Sequence, residues 1–107
     1  MRSVPQEVVA HLAASLAVPV STEVPPVRTP SFVVVMPVGG QSTLDALHTD
    51  VAIQAWAKSD AAAESLVRDA CDAMRQTNAT VFADPIPLGA DGTYVWWQAT
   101  FTVHALW

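Results

Sequence analysis

DGTYVWWQATFTVHALW, residues 91–107, decides the fold. Taken in steps of two, Val95, Trp97, Ala99, Phe101, Val103, Ala105 and Trp107 form a row with no polar member. Trp96, Gln98, Thr100, Thr102, His104 and Leu106 form the other row. A period of two, carried by aromatic and β-branched residues, specifies a strand with one buried face. The second row resembles neither a solvated face nor a core face, since its Gln-Thr-Thr-His run is bracketed by Trp and Leu.

Residues 47–57, LHTDVAIQAWA, repeat the pattern. Leu47, Thr49, Val51, Ile53, Ala55 and Ala57 make one row, and His48, Asp50, Ala52, Gln54 and Trp56 make a mixed one. Two strands with such matching rows are expected in one sheet, with their mixed rows on a common face. SFVVVMPVGG, residues 31–40, is apolar on both rows and reads as a strand covered on both sides, with Gly39-Gly40 and QSTLDA forming the turn out of it.

Two helices complete the set. Ser3, Pro5 and Gln6 carry helix-start signals, and Val9, Leu12, Ala13 and Leu16 recur at helical spacing until Pro19, with His11 pointing away as a surface histidine. Ser59-Asp60 opens the second helix, whose buried stripe is Ala63, Leu66, Val67, Ala70, Cys71 and Met74. Its solvated face offers the four-apart pairs Glu64 with Arg68 and Arg68 with Asp72. Val18 to Thr22 reads as a short extended segment before a Pro-rich connector, and Thr80 to Ala83 as a short strand that Pro85 and Pro87 confine to an edge or loop. Asp91-Gly92 makes the turn into the last strand. The expected fold is α+β: a two-layer sandwich in which a mixed or antiparallel sheet of four to five strands carries two helices on one face.

The length of 107 residues fits a single domain spanning 1–107. Hydrophobic residues make up 51% and charged ones 14%, against about 25% charged in an average globular domain. So charge-poor a small domain is expected to have part of its surface covered by partners, as an obligate assembly subunit does. The net charge of −5 argues against a protein that grips nucleic acid through clustered Lys and Arg. Cys71, the single cysteine, is read as a buried hydrophobe in a reducing compartment. Polar interruptions in the first 21 residues argue against a secretory signal, and no stretch approaches a membrane span.

Catalytic signals are sparse: there is no phosphate-cradling glycine pattern, no nucleophile elbow, and no pair of ligands at metal spacing. One constellation offers chemistry. If their strands are neighbours, His48, Asp50 and His104 converge on the mixed face beside Trp56 and Trp96, as a metal or acid-base site or a small ligand-binding dimer would require. The competing reading is an interface, in which Thr, Gln and His supply neutral hydrogen bonding and Trp supplies contact area. Its candidate residues are Arg28, Trp56, Trp96, His104 and Trp107, with no catalytic, cofactor or metal residue assigned. A chain ending on Trp107 is expected to hold that end in the sheet or against another subunit.

VPVSTEVPPVRTPSFVVVMPVGG from Val18, DVAIQAWAKSDAAAESLVRDACDAMRQ from Asp50, and the late Pro-rich turn into a closing strand resemble the tail terminator proteins of long-tailed phages, particularly those of actinobacterial hosts. The resemblance runs from about Val18 to the end. Val20-Ser21-Thr22, the Pro and Arg before Phe32-Val33, and Ala55-Trp56-Ala57 before an Ala-rich helix carry most of it. It implies a ring, typically of six subunits, that caps the tail tube, stops its polymerisation and meets the head's connector. Its implied partners are further copies of the chain, the tail tube protein and a head completion or connector protein, with double-stranded DNA passing the lumen unbound. No enzyme activity, cofactor or membrane is implied, and the location is the virion neck after assembly in the host cytoplasm. Other neck, connector and tail-tube proteins of similar fold are the nearest alternatives.

Overall fold

The structure, a computed structural model, describes residues 4–26, 29–42, 47–77 and 79–104. Its elements run α1 (Val4–Ser15), β1 (Val20–Ser21), β2 (Phe32–Ser42), β3 (Leu47–Ala57), α2 (Asp60–Met74), β4 (Ala79–Asp91) and β5 (Tyr94–His104). The sheet is five-stranded in the order β1-β2-β3-β5-β4, and only the β1–β2 pair is parallel. The expected α+β sandwich is therefore present, with a mixed sheet and both helices on one face.

That face holds the main core. Val33 and Val35 of β2, Val51, Ile53 and Ala55 of β3, and Ala99, Phe101 and Val103 of β5 meet Val8 and Leu12 of α1 and Val67, Ala70, Cys71 and Met74 of α2. Burying each Val, Leu, Ile, Phe or Met contributes about 1.5–3 kcal/mol. In α1 the buried pair is Val8 and Leu12, with Val9 and Leu16 half-buried and Ala13 exposed, so the stripe is rotated from the expected one. In α2 the stripe is as expected, with Ala73 added and Leu66 at its margin. Ser59 caps that helix from an extended conformation, and its hydroxyl accepts the Ala62 N–H at 3.2 Å.

Three local differences have plain causes. β2 continues through Gly39 and Gly40 to Ser42, absorbing Pro37 in an irregularity between Pro37 and Gly39. β4 is 13 residues long, not a short piece. Its prolines do confine it to the sheet edge, and it accommodates them by shifting register between Ala83 and Ile86 and between Pro87 and Gly89. His11 is half-buried and contacts a carbonyl at the end of α2, its Nε2 lying 2.7 Å from Ala73 O, so it ties the two helices together.

Candidate functional site

The β3–β5 register settles what the mixed rows share. Trp56 pairs with Trp96, Gln54 with Gln98, Ala52 with Thr100, Asp50 with Thr102 and His48 with His104. Cross-strand partners point to the same side of a sheet, so both mixed rows lie on the face opposite the helices. β2 and β4 extend these rows outward: Phe32 and Gly89 flank the Trp pair, Val34 and Ile86 the Gln pair, and Met36 and Ala83 the Ala-Thr pair.

An aromatic wall closes one end of this face. Phe32, Trp56 and Trp96 stack in series, with centroid separations of 5.4 Å and 4.2 Å and interplanar angles of 18° and 15°. Tyr94 tilts against Phe32 and Trp56 and donates its hydroxyl to Thr29 O at 2.7 Å, pinning the Pro-rich connector, from which Val24 packs on the cluster. Lys58 Nζ sits 4.0 Å from the Tyr94 ring centroid and donates to Thr93 Oγ1 at 2.9 Å. Gly89 is required here: a Cβ on it would stand 2.5 Å from Trp96 Cζ2. Among the described residues Trp96 Nε1 is buried without a hydrogen-bond partner, a cost of about 1–3 kcal/mol that its stacking and burial must offset.

Beyond the wall the face is neutral and hydrogen-bonded. Trp56 Nε1 donates to Gln54 Oε1 at 3.2 Å, and Gln54 Nε2 donates to Gln98 Oε1 at 3.0 Å. An indole N–H only donates, so Trp56 fixes the orientation of both carboxamides, and among the described residues the Gln98 NH2 is the open end of the ladder. Thr102 Oγ1 donates to Asp50 Oδ1 at 2.7 Å, so this carboxylate is engaged, while Lys58 over Tyr94 and Asp91 opposite Tyr94 place charge at the aromatic end. Among the described residues two exposed large hydrophobics lie on this face, Ile86 at 52% beside the Gln pair and Met36 at 39% beside the Ala52–Thr100 pair. The third, Leu88 at 47%, follows on β4.

The structure distributes the sequence candidates unevenly. Trp56 is only 5% exposed, so it builds the wall and orients the ladder from within instead of being displayed to a partner. Trp96 is half-buried beside it. Arg28 and Trp107 lie outside the described residues, as do the side chains of His48 and His104, whose backbones face each other in register. Among the described residues no group of three or more His, Cys, Asp or Glu is arranged to hold a metal ion. Gly89, Tyr94, Met36 and Ile86 were not singled out in the sequence. The register pairing Ile86 with Gln98 is hidden there by Pro85 and Pro87.

Away from this face, a depression beside α2 is lined by Arg68, Cys71, Asp72, Arg75 and Asp84. Glu64 takes both Nε and Nη2 of Arg68, and Asp72 pairs with Arg75 instead of the expected Arg68. Burial pushes the Cys71 thiol pKa up, opposed by the nearby Arg75, so this thiol is held protonated. No helix among the described residues is long and apolar enough to cross a membrane. No protein-family model matches the chain, and no curated protein matches it.

Proposed function

We propose that this chain is a non-enzymatic assembly subunit that uses the sheet face opposite its helices as a protein contact. The observation that carries this is the neutral Gln54–Gln98 ladder, with exposed Ile86 beside it and exposed Met36 one rung further along, where the neighbouring Asp50 carboxylate is already bound by Thr102. Such a surface loses little on desolvation and offers both hydrogen bonds and apolar area, as the buried centre of an interface does. A chain with only 14% charged residues is suited to having that surface covered.

Within that class, the particular reading is a tail terminator of a long-tailed phage. The resemblance of Val20-Ser21-Thr22, the connector before Phe32 and the Ala55-Trp56-Ala57 segment supports it. So does the fold, a two-layer sandwich small enough to repeat around a tube. In this role copies of the chain form a ring, expected to be hexameric, at the head-proximal end of the tail tube. The ring ends tube growth and joins the tail to the head connector in the virion neck after assembly in the host cytoplasm. A net charge of −5 per subunit suits a lumen through which DNA passes without being held. Electron microscopy of tubes grown with gold-labelled chain tests this: label at one tip of each tube is expected, and label along the tube walls or none at all rejects it.

A further inference from the structure

The helical side of the molecule carries a groove of its own. It runs between the end of α1 and the C-terminal half of α2 and has a volume of about 490 Å³, within the range of small-ligand sites, about 300–1,000 Å³. Leu66, Asp69, Ala73 and Gln76 recur three or four apart and so line it as one stripe of α2. Its floor is apolar, because Leu16, Val18 and Leu66 are half-buried and rest on the main core. Its charged lining residues are Asp69 and Asp72, and no basic residue lines it.

Two features of this groove work against the isolated chain. α1 ends at its rim with no basic residue in the last turn, so the partial negative charge of that helix end is not offset from within the helix. Asp69 lines the same groove and has no hydrogen bond or ion pair among the described residues, while Asp72 gives Oδ1 to Arg75. A carboxylate beside a helix C-terminus is disfavoured, and a local conflict of this kind is what proteins retain at functional sites. The His11 ring close by is committed to Ala73 O through Nε2. The depression on the other side of α2 has no such bias, since Arg68 and Arg75 there balance Asp72 and Asp84.

We infer that the groove takes an arginine side chain of a protein other than this one, its methylenes lying on Leu16, Val18 and Leu66 and its guanidinium meeting Asp69 at the rim. The apolar floor selects this occupant over a bare metal ion, because a long cationic side chain buries its stem while its charge stays with the carboxylate. The planar, weakly hydrated guanidinium suits the site better than an ammonium. A second copy of the chain is a poor source: among the described residues Arg68 and Arg75 are in ion pairs, and Lys58 lies over Tyr94 and donates to Thr93 Oγ1. The net charge of −5 draws a basic partner toward the chain and repels another copy. This contact goes beyond the assembly reading and does not use the mixed face.

Titration of the isotope-labelled chain with acetyl-Leu-Arg-Leu-amide, followed by amide NMR shifts, tests it. Saturable shifts are expected at residues 16–18, Leu66 and Asp69. Binding should weaken about three- to fivefold when the peptide carries Gln for Arg or the chain carries Asp69→Asn, the effect of one exposed ion pair. Both changes together should cost no more than either alone, since they remove the same contact. Asp69→Asn should hold or raise the melting temperature by relieving the conflict in the isolated chain, so its weaker binding is separable from unfolding. Shifts that avoid the groove, equal binding of a Glu-bearing peptide, or additive losses in the cycle overturn the contact. A chain that dimerises in sedimentation velocity and becomes monomeric on Asp69→Asn also overturns it, because a second copy then fills the groove. The terminator reading is judged separately by tube growth.

Discussion

Trp56 of β3 and Trp96 of β5 are registered partners whose rings stack at 4.2 Å with a 15° inclination. Their contact joins these neighbouring strands on the side away from the two described helices. Trp56→Ala is expected to cost about 3–5 kcal/mol, the range for emptying a large buried aromatic site, and Trp96→Ala less because that ring is half-buried. The urea midpoint at constant m measures both. Either substitution should also abolish the coupled indole signal in circular dichroism, and a signal that survives in both places the rings apart.

Gly89→Ala should destabilise by about 1–3 kcal/mol through overpacking, because its Cβ would meet the Trp96 ring at 2.5 Å. Repeating the change in a Trp96→Leu background should recover most of that loss, as coupled neighbours do. Additive costs in the cycle would mean that the glycine is needed for another reason.

His11 joins α1 to the end of α2 through the carbonyl of Ala73 at 2.7 Å. His11→Ala should lower stability by about 0.5–1.5 kcal/mol, the net worth of one hydrogen bond, since Ala73 O keeps the Gln76 N–H at 3.2 Å, and should raise hydrogen exchange in α1 before the rest of the chain. Uniform exchange throughout would argue against a helix-specific tie.

Burial raises the Cys71 pKa. A raised folded pKa contributes stability that is complete below the unfolded thiol's pKa, about 8.5, and is lost as pH rises through the folded value. Native protein should therefore resist iodoacetamide at pH 8, with labelling becoming fast only in denaturant. Equal rates in the two states would contradict the burial.

The strands with a clean period of two were legible because one row is core and the other is not: the expected span 47–57 is the observed β3, and the mixed rows of β3 and β5 do share a face. Only the Thr80–Ala83 start of β4 and its edge position were legible, because its two prolines look like loop residues while the register shifts keep the strand paired around them. The role of His11 was hidden for a different reason, since its partner is a backbone carbonyl 62 residues away, which no side-chain pattern marks. Asp72 was misassigned because spacing allows two partners, and Glu64 already engages Arg68. Trp56 looked like display area from its row, but stacking between Phe32 and Trp96 buries it.

The central claim is that this chain ends the growth of a tail tube, and the length distribution of tubes polymerised from the tail tube protein with and without it tests that most directly. The account predicts short tubes of narrow length distribution in its presence and long, heterogeneous ones in its absence. Equal length distributions in the two conditions would contradict it.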